Sequence, residues 1–127
     1  MKKLTVAFDV DDTLLIPNVA IPDSINTLFG EHEKPAWIKH KMNVEAYKWF
    51  QDNWCYMIIW SGSGKKWARK WADEFNLNPD EIREKWEWED VDIAIDDCNV
   101  DLATVNMKVK RINNSISRRD WNKTKRI

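Results

Sequence analysis

Three short apolar runs constrain this chain most, because each stops at groups that an apolar core cannot hold unaided. Leu4–Phe8 runs into Asp9, Asp11 and Asp12, Trp54–Trp60 into the segment SGSGKK, and Val91–Ile95 into Asp96 and Asp97. Apolar runs this short suit strands with both faces covered, as in a parallel sheet. A helical stripe over Val44–Asn53 carries Val44, Tyr47, Trp49 and Phe50 on its apolar side. A second helix, Lys65–Phe75, aligns Trp67, Ala68, Trp71, Ala72 and Phe75, a stripe best suited to packing on a sheet. Strands alternating with helices predict an α/β, doubly wound parallel sheet of four to five strands, with helices on both faces. In such a sheet the strands' carboxyl ends share one edge, where ligands bind. The three polar strand ends are therefore expected to converge.

The remaining segments are less regular. From Ile16 to Lys41 the prolines at 17, 22 and 35, with Gly30, predict a loop holding at most a short helix around Asp23–Phe29. A connection of about two dozen residues is long enough to suggest function, so 16–41 is expected to flap over or border the site. Asn78, Pro79 and Asp80 predict a turn and a short helix over Asp80–Lys85. A further short helix at Asn99–Thr104 and a fourth strand at Met107–Ile112 complete a domain spanning 1–112. The tail, 113–127, is polar and sets five basic residues against Asp120 alone. It is expected to be a solvated end, or else a grip on a polyanion with Trp121 as stacking platform.

At 127 residues, the chain fits one domain with a real core. A net charge of −1 gives the whole molecule no bulk attraction to nucleic acid or membrane. No apolar run approaches the roughly 20 residues that span a bilayer, and Asp9 interrupts the first one too early for a signal peptide. The expected location is the cytoplasm. Cys55 and Cys98 lack metal-ligand spacing and are expected to be reduced thiols in or near the core. His32 and His40 are expected on the solvated surface. Most of the nine tryptophans are expected in the core and its rim.

At the end of an extended strand, Asp9 and Asp11 point the same way. One carboxylate can attack as nucleophile while the other moves a proton. Asp96 and Asp97 bring further negative charge from another strand, and hard oxygen donors in this number suit Mg²⁺. Zinc calls for His or Cys, which these strand ends lack. Ser61 and Gly62 offer a hydroxyl and bare backbone ahead of a helix, a setting that binds phosphate. The glycine spacing of a P-loop is not met.

FDVDDTLL resembles motif I of the haloacid-dehalogenase-like (HAD) phosphohydrolases, Asp-x-Asp-x-Thr after an apolar strand. MIIWSGSG resembles motif II, and DIAIDD resembles motif IV. For the motif III lysine, Lys85 is the choice by position, with Lys65 and Lys66 as second candidates. The resemblance spans about Leu4–Ile112. It implies a Rossmann-like HAD fold of the minimal type without a large cap, and a phosphatase working through an aspartyl-phosphate. Asp9 would be the nucleophile and Asp11 the general acid and base. Ser61, Gly62 and Lys85 would bind phosphate, and Asp9, the Asp11 carbonyl, Asp96 and Asp97 would bind Mg²⁺. Asp12 and Thr13 would shape the turn. An open site would admit large substrates, such as a phosphorylated nucleic-acid end or protein, unless a homo-oligomer partner covers it; the expected substrate is a small phosphometabolite or nucleotide, or a phosphorylated nucleic-acid end. The alternatives are a non-catalytic phosphate- or nucleic-acid-binding domain and a phosphotransferase using the same residues.

Overall fold

The computed structural model describes residues 3–17 and 37–110. Five strands form one sheet: β1 (Thr5–Asp9), β4 (Tyr56–Trp60), β5 (Glu81–Arg83), β6 (Ile93–Asp96) and β7 (Val105–Lys108). Their order is β5-β4-β1-β6-β7, and every neighbouring pair is parallel. β2 (Leu15–Pro17) and β3 (Trp37–Lys39) make a separate antiparallel pair. Two helices are described, α1 (Lys41–Asp52) and α2 (Lys65–Glu74). This is an α/β architecture around a parallel sheet. No helix among the described residues is long and apolar enough to cross a membrane.

The centre of the sheet is β1, buried along its whole length. Its alternate side chains feed two cores. Val6 and Phe8 join Met57 and Ile59 under both helices, through Val44 and Tyr47 of α1 and Ala68, Trp71 and Ala72 of α2. The Phe8 ring meets Tyr47 edge-on at a centroid distance of 5.3 Å. On the opposite face Ala7 packs with Ile58, Trp60, Val91 and Ala94, and Leu102 and Ala103 lie against them.

The expectation of helices on both faces does not hold among the described residues. Both helices lie where the chain steps outward from β1 to β4 and on to β5, and right-handed crossovers in one direction share a face. The return to β6 and the step to β7 use only residues 84–92 and 97–104. A helical crossover needs about a dozen residues or more, so these links cover the second face as irregular chain. For the same reason the short helix expected at Asn99–Thr104 is not formed.

Asp80–Lys85 is likewise not a helix; its middle is β5. Asp80, read as the start of that helix, instead pairs with the beginning of β4. Its carboxylate accepts from the Met57 N–H at 2.8 Å, and its own N–H donates to the Met57 carbonyl at 2.9 Å. Six residues cannot nucleate a stable helix alone, whereas a free sheet edge supplies ladder hydrogen bonds to alternate residues of the added strand.

Helix α1 starts three residues before the expected Val44. His40, expected on the surface, is buried and caps it, its Nδ1 accepting the Asn43 N–H at 3.2 Å. Of the tryptophans whose burial is described, Trp60 and Trp71 are buried and Trp67 is half-buried. Trp49, Trp54, Trp86 and Trp88 are exposed, Trp54 as much as 80%. Trp49 is on the solvent side of α1 and the others are in turns and links. Cys55 and Cys98 are half-buried and form no disulfide, and Cys55 packs against the core. The expected helix at Asp23–Phe29, His32, the middle of the 16–41 flap, residues 111–112 of the fourth predicted strand and the 113–127 tail lie outside the described residues.

Candidate functional site

Register brings the strand ends together. Asp9 pairs with Trp60 across β1 and β4, Phe8 with Ile95 across β1 and β6, and Trp60 with Arg83 across β4 and β5. Asp9, Ser61 and Asp96 therefore emerge side by side at the carboxyl edge. Chain order reverses between β1 and β6, so Asp9 and Asp96 flank the switch point, where ligands of open α/β sheets bind.

The chain turns sharply after Asp9. The Val10 carbonyl accepts N–H bonds from Thr13, Leu14 and Leu15. Asp12 takes a left-handed conformation, φ 64°, which Asp tolerates better than most residues. The turn aims the Thr13 hydroxyl back at Asp9 Oδ2, 3.1 Å away, with Asp97 Oδ1 at 3.4 Å. A hydroxyl has one hydrogen, so the shorter contact with Asp9 is the better-made bond. The start of α1 is pinned to the same turn: His40 N–H donates to the Leu14 carbonyl at 2.8 Å and the Asn43 amide to the Thr13 carbonyl at 2.9 Å.

Lys85 reaches the centre of this cluster. Its Nζ lies 2.8 Å from Asp9 Oδ1 and 2.8 Å from Asp96 Oδ2. The remaining Asp96 oxygen accepts the Cys98 N–H at 3.0 Å. Lys65 and Lys66, the second candidates, are exposed, and Lys65 pairs with Glu87 at 3.8 Å. Lys85, the choice by position, thus lies beside Asp9 and Asp96, whereas Lys65 and Lys66 are both exposed.

The Lys85 link is braced by Arg83. The buried guanidinium forks onto Glu81 at 2.7 and 2.8 Å, and it also holds Asp90 and the Glu87 carbonyl. Tyr56 donates to Glu81 at 2.8 Å, tying this brace to β4. Sequence reasoning did not single out Arg83, which sat in a segment read as a short helix. An isolated arginine between acids at both ends of a short link was the available signal.

Asp11 faces a different set of donors. Its Oδ2 accepts the Ser61 hydroxyl at 3.1 Å, with the Ser63 hydroxyl at 3.5 Å, and its Oδ1 accepts the Trp67 indole N–H at 2.8 Å. The structure thus separates Asp9 and Asp11, Asp9 to the Lys85–Asp96 side and Asp11 to the β4–α2 side. Sequence reasoning gave Trp67 only a packing role. Its position in the first turn of the helix was the missed signal, since helical side chains lean toward the N-terminus and here toward the strand ends. Ser61 also accepts the Ser63 N–H at 3.0 Å. Gly62 would meet open space with a Cβ, so its backbone is accessible but not conformationally demanding. Gly64 is the demanding one, with φ 99° at the N-cap of α2.

Charge is not balanced here. Burial raises the Asp9 carboxyl well above its usual range; Lys85 opposes this, and Asp96, Asp11 and Asp97 reinforce it. Burial also raises Asp96, against the pull of Lys85. Asp11 is raised by burial, with Trp67 and Ser61 partly offsetting it. Burial works against the Lys85 ammonium, but Asp9 and Asp96 outweigh it and hold the proton more tightly than usual.

Such an under-neutralised set of carboxylates fits a divalent cation. Asp96, Asp97 and Cys98 present ligand atoms within 4.8 Å of one another. Cys98 adds a soft donor that the sequence reading did not foresee, its Sγ 3.7 Å from Asp97 Oδ2. Of the four metal ligands expected from the sequence, Asp96 and Asp97 belong to this group and Asp9 and Asp11 do not. A scan against protein-family models, a search of curated proteins and a search of solved structures each returned no match.

Proposed function

We propose that this chain is a Mg²⁺-dependent phosphatase of the HAD type, with a Rossmann-like HAD fold, hydrolysing a phosphate monoester through an aspartyl-phosphate on Asp9. The observation that carries the reading is the seat of Lys85 between Asp9 and Asp96, at the switch point of a parallel sheet. A nucleophilic carboxylate, a cation beside it and a separately held second carboxylate are the parts that this chemistry needs.

In the first step an oxygen of Asp9 attacks phosphorus and the bond to the leaving oxygen breaks. Asp11 gives its proton to that oxygen. In the second step water attacks phosphorus, Asp11 takes a proton from it, and the bond to Asp9 breaks, restoring the Asp9 carboxylate and the protonated Asp11. Thr13 and Lys85 hold the two Asp9 oxygens, so the nucleophile meets substrate already oriented. The Ser61 hydroxyl, the backbone around Gly62 and the Lys85 ammonium would hold the phosphoryl oxygens. Asp9, Asp96 and Asp97, with the Asp11 carbonyl, would hold Mg²⁺, which when bound offsets the repulsion between phosphoryl group and carboxylates. The substrate is proposed to be a small phosphorylated molecule or a phosphorylated nucleic-acid end.

Hydrolysis of an aryl phosphate with Mg²⁺ or with a chelator tests this. Wild-type protein is expected to turn over only with the cation, and Asp9→Asn to lose activity by a factor on the order of 10³ or more. Wild-type protein inert toward a broad panel of phosphate esters in Mg²⁺ would overturn the reading.

A further inference from the structure

The proposed mechanism asks Asp11 to move a proton in both steps, and a carboxylate on a turn does this only if something fixes its plane. Asp11 lies beyond the end of β1, held by a single bridge to Leu15. Its side chain is fixed from outside the turn. Ser61 and Ser63 address one oxygen, and the Trp67 indole N–H addresses the other at 2.8 Å.

The indole is well anchored. Trp67 meets Trp71 edge-on at 5.7 Å, and the Lys70 ammonium lies 5.6 Å from the Trp67 ring and 5.0 Å from that of Trp71. An indole N–H is a donor only, so it cannot take the proton that Asp11 carries. A half-buried indole is satisfied by any nearby acceptor, and a backbone carbonyl would serve packing equally well. Here the acceptor is the carboxylate to which the reading gives proton transfer, and the bond is shorter than either serine contact. A rigid donor on one oxygen and hydroxyls on the other leave the carboxylate one orientation.

We propose that Trp67 is a positioning residue that holds the Asp11 carboxylate in the orientation required for proton transfer to the leaving oxygen. This rests on the phosphatase reading and adds to it a residue from α2 that touches neither phosphorus nor metal. Ser61 is then shared between Asp11 and the incoming phosphoryl group, and Trp67 keeps Asp11 in place while that hydroxyl turns to substrate.

Leaving-group dependence provides the test. Departure of an alkoxide needs a proton far more than departure of a nitrophenolate does. Trp67→Phe keeps most of the ring packing and removes the N–H. Its kcat/KM, which reports the step in which the leaving group departs, is expected to fall about tenfold further on an alkyl phosphate than on nitrophenyl phosphate, part of the range that general acid catalysis supplies. Equal losses on both esters, or no loss on either, would overturn the positioning role while leaving the phosphatase reading intact. Wild-type protein inactive on both esters would remove both. A second readout is independent of turnover. In ¹H–¹⁵N spectra, the indole resonance missing from Trp67→Phe is expected to move in Asp11→Asn. If Trp67→Phe does not fold, the Asp11→Asn spectrum decides alone, and all indole resonances staying in place would overturn the proposal.

Discussion

At the scale of the residue, Asp9 combines reactivity with instability. It is 4% exposed, at the end of the central strand, and three other carboxylates surround it. Its raised pKa means that the folded state keeps a proton that the unfolded chain releases just above the usual range near 4. Stability therefore falls as pH rises from that value through the raised, folded one. Lys85 behaves differently: its contribution is complete below its usual value and is lost only in strong alkali, as pH passes the raised value. From mildly acid to neutral pH the carboxylates dominate. Asp9→Asn, which leaves Lys85 paired with Asp96, is expected to stabilise the metal-free protein at neutral pH by about 1 kcal/mol, roughly 4 °C in Tm. A lower Tm in thermal scans would show that the Lys85 pair outweighs the repulsion. Mg²⁺ competes with protons for the same oxygens. It is expected to raise Tm clearly at pH 8 and little at pH 5, and equal shifts at both would argue against binding at this cluster.

At the scale of the element, the link from β5 to β6 gives the site its ammonium. Arg83 ties both ends of that link, through Glu81 on one side and Asp90 and the Glu87 carbonyl on the other. Arg83→Met removes a partly buried cation from paired acids and is expected to destabilise by about 3 kcal/mol in urea unfolding. It should also lower kcat by displacing Lys85. Unchanged unfolding and turnover in Arg83→Met would contradict the bracing role. The same link shows why some elements were hidden in the sequence. Glu81, Arg83 and Lys85 favour helix as isolated residues, but pairing with β4 decided the conformation through contacts made over twenty residues away. His40 was hidden for a related reason, since its burial comes from the acidic turn and not from its polar neighbours. The helices α1 and α2 and strands β1, β4 and β6 were legible because their apolar spacing is set by the surface they must cover.

At the scale of the whole molecule, the parallel register explains how a site legible as separate strand ends becomes one cluster. Asp9, Ser61 and Asp96 needed only a common strand direction to converge, which the alternation of strands and helices supplied. The division between Asp9 and Asp11, and the capture of Asp11 by Trp67, needed side-chain geometry that no spacing rule provides. The second face, lined by short links instead of helices, followed from the count of residues between strands and could have been read from it. In the proposed reaction the buried carboxylate at the end of β1 becomes covalently phosphorylated. The most direct measurement is acid quenching during turnover of nitrophenyl phosphate by Asp11→Asn, where loss of the base slows breakdown of the intermediate, followed by mass spectrometry of its peptides. A phosphoryl group on Asp9, discharged in time, is the predicted result. Continuing turnover with Asp9 unmodified, or with the phosphoryl group on another residue, would contradict the account.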